Sequence, residues 1–95
     1  MAFSMNQPLP SPPMFPDGEL LLRVRDEVKF DRPKDPAALP GFESLVRRLR
    51  DHSRAGYLRI VDVTREAGEL GEIVSSISCL LTVAGEAELI RGGLA

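Results

Sequence analysis

The chain is poor in the residues from which functional sites are usually assembled. Of its 95 residues one is a cysteine, Cys79, and one a histidine, His52. A lone cysteine excludes an internal disulfide and any zinc site made of several cysteines, and a lone histidine removes most other metal constellations. That usage fits a reduced, cytoplasmic protein of bacterial type. Tryptophan is absent and the aromatics are four Phe and one Tyr, so the core has to be built from Leu, Ile and Val. No apolar run approaches the ~18 residues that suggest a membrane-crossing helix, so no membrane partner is expected. No basic stretch precedes an apolar one at the start, and no signal peptide is expected.

A catalytic set is missing as well. Cys79 lies beside Leu80 and Leu81, where a free cysteine behaves as a small hydrophobe, and no histidine is placed to activate it. Ser75, Ser76 and Ser78 alternate within a strand-like stretch and lack the G-x-S-x-G turn of a nucleophile elbow. Glu66, Glu69 and Glu72 lack the alternating ligand register of a calcium loop and read as a solvated acidic turn. Gly92-Gly93 is too short to cradle a phosphate. His52, at the edge of an apolar stripe, is expected to be structural. The expectation is a protein that is not an enzyme and has no cofactor and no metal.

What is present divides in two. Residues 1–16 carry no charged side chain and five prolines, Pro8, Pro10, Pro12, Pro13 and Pro16. Proline fixes φ and lacks an amide donor, so this arm cannot be helical and favours polyproline II. Pro10–Pro13 and Pro13–Pro16 give P-x-x-P spacings. Phe3, Met5, Leu9, Met14 and Phe15 supply apolar surface for the arm to lie on its own domain or on a second copy. Residues 17–95 form one small domain, a size at which the buried fraction of the chain is modest and stability marginal.

Within that domain Asp17 is placed to cap a first helix, with Leu20, Leu21, Val24 and Val28 at helical spacing and an end near Phe30. Asp35-Pro36 starts a single helical turn, and Pro40-Gly41 is expected to bend the chain. A helix over 42–55 follows. Phe42, Leu45, Val46 and Leu49 recur at i, i+3, i+4, i+7, and Arg47, Arg50 and Arg54 share one flank with Ser44, Arg48 and Asp51 beside them. Glu43–Arg47 and Arg47–Asp51 are spaced as i,i+4 ion pairs. Gly56 is suited to end that helix in left-handed geometry. Tyr57–Thr64 reads as a strand, 65–71 as a loop and Glu72–Leu81 as a second strand. Thr82 is placed to cap a short last helix carrying Ala87, Leu89 and Ile90.

This order resembles the winged helix-turn-helix superfamily over about residues 18–91. The residues carrying the resemblance are the Leu81-Thr82-Val83-Ala84-Gly85 step into the last helix and the Ala55-Gly56-Tyr57-Leu58 junction after the arginine helix. It implies an α+β, winged-helix-like fold: a three-helix core, a C-terminal two-stranded antiparallel hairpin and a short closing helix. It further implies a transcription-regulator-like module reading double-stranded DNA with helix 42–55. Ser44, Arg47 and Arg48 would meet base edges, and Arg50 and Arg54 the backbone.

The chain departs from the family's pattern in two places. Its second helix is cut to one turn, and its hairpin loop offers Arg65 against Glu66, Glu69 and Glu72, carboxylates that would face phosphates. The net charge of −2 conceals a split: four arginines against Glu43 and Asp51 in 41–55, and a local excess of four carboxylates in 60–95. From that split comes the alternative, a non-enzymatic protein-interaction adaptor using its acidic hairpin or its proline-rich arm. A homodimer is expected, with the arm and the first helix as the contact.

Overall fold

The computed structural model describes residues 16–93, so the expectations for the arm 1–16 lie almost wholly outside the described residues. Helix α1 (Gly18–Glu27) starts where Asp17 caps it, its Oδ1 accepting from the Glu19 and Leu20 amides at 3.1 and 3.3 Å. It buries Leu20, Leu21 and Val24. The helix stops short of Phe30 because Val28 leaves it at φ +60°, ψ −47°. This rare, strained region for a β-branched residue turns the chain sharply.

The turn delivers a strand absent from the expected hairpin, β1 (Lys29–Asp31). Phe30 points inward opposite Ile77, both buried, while Lys29 and Asp31 face solvent. The Cys79 amide donates to the Val28 carbonyl and the Arg32 amide to the Ser75 carbonyl, both at 2.8 Å. The two-stranded hairpin is therefore corrected to a three-stranded antiparallel sheet in the order β1-β3-β2. The fold is α+β, with three α-helices among the described residues.

A 3-10 turn at Pro36–Ala38 forms as the Asp-Pro start predicts, with Asp35 Oδ1 accepting from the Ala37 amide at 3.0 Å. The bend at Pro40-Gly41 does not form. Helix α2 (Leu39–Arg54) begins before both residues and runs through them. A proline in the first turn lacks only an amide that would have had no partner within the helix, so Pro40 costs little there. The apolar stripe is as spaced: Phe42, Leu45, Val46 and Leu49 are buried, and His52 joins them.

The end of α2 is a complete Schellman motif. Tyr57 N–H donates to the His52 carbonyl at 3.0 Å and Gly56 N–H to that of Ser53 at 3.1 Å, with Gly56 at φ +89°. Strand β2 (Leu58–Gly68) and strand β3 (Gly71–Leu81) then pair from Leu58↔Leu81 out to Gly68↔Gly71. The loop expected over 65–71 is therefore only the two-residue turn Glu69-Leu70. Residues 64–67 of β2 are all exposed, and the register shift that skips Ser75 interrupts the alternation of β3, so the period-two pattern by which a strand is read is lost there.

The two motifs that carried the family resemblance are in contact. Thr82 N–H donates to the Tyr57 carbonyl at 3.2 Å and its hydroxyl to the Gly56 carbonyl at 2.6 Å. The same hydroxyl oxygen accepts from the Gly85 amide and so caps helix α3 (Val83–Arg91). A β-carbon on Gly85 would lie 2.0 Å from the Tyr57 carbonyl oxygen. The glycine is needed because backbone meets backbone at that point. Leu58, Ile77, Cys79 and Leu89 pack into the same core as Leu21, Phe42 and Leu49. No helix among the described residues is long and apolar enough to cross a membrane.

Candidate nucleic-acid interface

With its apolar stripe fixed against the sheet and α1, α2 has to present the opposite face outward. Ser44, Arg47 and Arg54 are exposed on it, and Arg50 is half-buried on the flank facing β3. Arg54 lies 3.9 Å from Asp51 at the helix C-terminus, where a cation also complements the helix dipole. The expected Glu43–Arg47 and Arg47–Asp51 pairs do not form. Among the described residues no carboxylate lies within 4.0 Å of Arg47 or Arg50. Their guanidinium groups are available to a partner.

Glu43 is instead held by Arg32, at 2.9 Å. Arg32 also donates to the Val74 carbonyl at 3.2 Å and stacks over Phe42, 5.8 Å from the ring centre. This half-buried guanidinium joins the end of β1 to α2 and β3, and it occupies Glu43, one of the two carboxylates spaced to pair with Arg47, while Asp51 faces Arg54. Sequence reasoning missed Arg32, because its partners lie 11 and 42 residues away and no spacing rule connects them.

Arg48 does not belong with the other arginines. It turns to the α1 side of the helix and pairs with the Asp17 carboxylate. One helical step rotates a side chain by about 100°, enough to send neighbours to opposite flanks. Beside that ion pair His52, 2% exposed, bridges two main chains. Its Nε2 accepts from the Asp17 amide at 2.9 Å, and its Nδ1 lies 2.7 Å from the Arg48 carbonyl. A carbonyl can only accept, so Nδ1 carries the proton and the ring is the neutral Nδ1–H tautomer. Asp17, Arg48 and His52 thus clamp the start of α1 to the last turns of α2. The histidine is structural, as expected, though more deeply buried than a place at the stripe's edge suggests.

A groove of about 340 Å³ runs between α2 and β3, lined by Val46, Ile73 and Val74 with Glu43, Arg47, Arg50 and Glu72 around it. At the hairpin tip Arg65, Glu66, Glu69, Leu70 and Glu72 are all exposed. Of the hairpin carboxylates, Glu72 lies at the groove beside Arg47 and Arg50. Cys79 lies in the core at 0% exposure with its thiol pushed up to about 11 by burial. It is a protonated core side chain, not a nucleophile.

No protein-family model, no curated protein and no solved structure matches the chain.

Proposed function

We propose that residues 17–95 are a winged-helix domain that reads duplex DNA with α2, in the manner of a transcription regulator. Ser44, Arg47, Arg50 and Arg54 make the contacts, and Arg48 serves the clamp to α1. The observation that carries this reading is the pair Arg47 and Arg50. Arg47 stands exposed on the outward side of a helix whose inner side is locked into the core, Arg50 is half-buried on the flank facing β3, and neither has an ion-pair partner among the described residues. Free guanidinium groups on a rigid helix suit phosphate and guanine-edge contacts, and β2 and β3 extend beside the helix as the hairpin of such a domain does.

Titration of mixed-sequence duplexes at several salt concentrations tests it. Affinity should fall steeply with salt, and Arg47→Ala/Arg50→Ala should flatten the log–log slope by about two, one for each phosphate that is no longer neutralised. Arg48→Ala should leave the slope unchanged. Micromolar protein that leaves every duplex unshifted at low salt removes the proposal.

A second reading, a protein-interaction adaptor, is favoured by the hairpin tip. Glu66, Glu69 and Glu72 surround a leucine there that is completely exposed. On this reading the tip recruits a basic protein surface and duplex DNA has no effect.

A further inference from the structure

Strand β2 is an edge. The order β1-β3-β2 leaves its outer side without a neighbouring strand, and from Arg59 to Ala67 its hydrogen bonds among the described residues all go to β3. An open row of amides and carbonyls is a template for another strand, and the β-branched Ile60, Val61, Val63 and Thr64 suit one. Which strand fits depends on the faces of the β2 side chains and on their charges. Cross-strand partners share a face. Ile60 and Val63 lie opposite Cys79 and Ile77 and stand on the core face. Arg59, Asp62 and Thr64 lie opposite Leu80, Ser78 and Ser76 and stand on the open face, with Val61 as the extra residue of a bulge. Past Thr64 the alternation of β2 has no insertion, so Arg65 returns to the core side and Glu66 to the open face. Arg59, Asp62, Arg65 and Glu66 are exposed and have no ion-pair partner among the described residues.

We propose that β2 pairs antiparallel with β2 of a second copy about a twofold axis at Val63, joining the two sheets into one. Val63 then faces its own counterpart, and the bulge residue Val61 is left out of the pairing in both copies. Thr64 meets Asp62, Arg65 meets Ile60 and Glu66 meets Arg59, each pair on one face of the sheet and each made twice. The contact therefore carries two ion pairs and two hydroxyl–carboxylate bonds besides its main-chain ladder. Neighbouring alignments are rejected by charge. An axis at Asp62 or at Arg65 sets that residue against itself, and an axis at Thr64 sets Asp62 against Glu66. Charges that guard an edge against other strands thus admit this one. The dimer goes beyond the DNA reading, since neither Arg47 nor Arg50 is among the paired residues.

Sedimentation equilibrium of the full chain tests the dimer. The wild type should associate reversibly. Arg59→Glu and Glu66→Arg should each weaken association about tenfold or more, with an unchanged circular dichroism spectrum, because like charges then face each other at both ends of the contact. Arg59→Glu/Glu66→Arg in one chain restores opposite charges and should return association to within about threefold of wild type. An equimolar mixture of the two single variants should form a mixed dimer. A monomeric wild type, a dimer indifferent to both reversals, or a swapped double variant that stays monomeric overturns the proposal. Arg47→Ala/Arg50→Ala, which tests the DNA reading, should leave the dimer intact. Loss of the dimer in that variant would place the contact on α2 and overturn the proposal as well.

Discussion

The two ends of one β-hairpin have opposite fates. At the base, Leu58 faces Leu81 and Ile60 faces Cys79, and one face of the ladder packs on the helices. At the tip the same antiparallel pairing runs on to Gly68↔Gly71, past the part of β3 that borders α2, and Arg65, Glu66, Glu69 and Leu70 stand in solvent. Backbone hydrogen bonds are made along both stretches, so they do not distinguish the ends. Burial does. The base holds the domain together, and the tip is free to carry charge and a bare leucine without cost to the fold.

The widest separation between the two ends should come from two leucines of the same hairpin. Leu58→Ala, at a side chain 2% exposed, should cost about 3 kcal/mol in urea unfolding. Leu70→Ala should stay within about 0.5 kcal/mol of wild type. Comparable costs would mean that the tip is packed.

Next comes the pH limb of Cys79. Its pKa is raised in the folded chain from 9.0 to about 11 by burial, so folding favours the neutral thiol. The resulting stability is fully present below pH 9 and is lost as pH climbs to about 11. The loss is about 2–3 kcal/mol at 1.36 kcal/mol per pKa unit. Urea melts across that window should show the loss in wild type and not in Cys79→Ala. Equal slopes in both proteins would assign the limb to other groups.

Gly85→Ala should cost about 2 kcal/mol, because its β-carbon meets a main-chain carbonyl that cannot rotate away. Thr82→Val should cost about 1 kcal/mol through loss of the α3 cap and of the bond to Gly56. Smallest of all, Val28→Gly should be neutral or stabilising by up to about 1 kcal/mol, because release of a strained φ offsets the flexibility of glycine. Destabilisation beyond about 1 kcal/mol would show that the partly exposed Val28 side chain contributes more than its backbone strain costs.

The base was legible in the sequence, and the tip was only partly so. The stripe of α2, the Asp17 and Thr82 caps and the Gly56 stop are local features, and local features can be read from spacing. The start of α2 was misplaced because a proline in the first turn looks like a break while costing a helix almost nothing. Strand β1 was hidden for the opposite reason. It is three residues with one inward side chain, held by Ser76–Ser78, more than 40 positions further on. The candidate site split the same way. Arg47, Arg50, Arg54 and Ser44 follow from the helical wheel, whereas the destination of Arg48 depends on Asp17, which no periodicity connects to it.

The contact between Thr82 and the end of α2 also bears on how the chain reaches its native pairing. The Gly56 and Tyr57 carbonyls that receive Thr82 are fixed by the turn before β2, and Thr82 is carried to them by the last residues of β3. A hairpin slipped by one position would carry Thr82 past both acceptors and break both of its bonds to the end of α2. It would also bring a side chain, where Gly85 now lies, against Tyr57. The closing helix therefore acts as a proofreader of strand alignment: it can dock only on the correctly registered sheet.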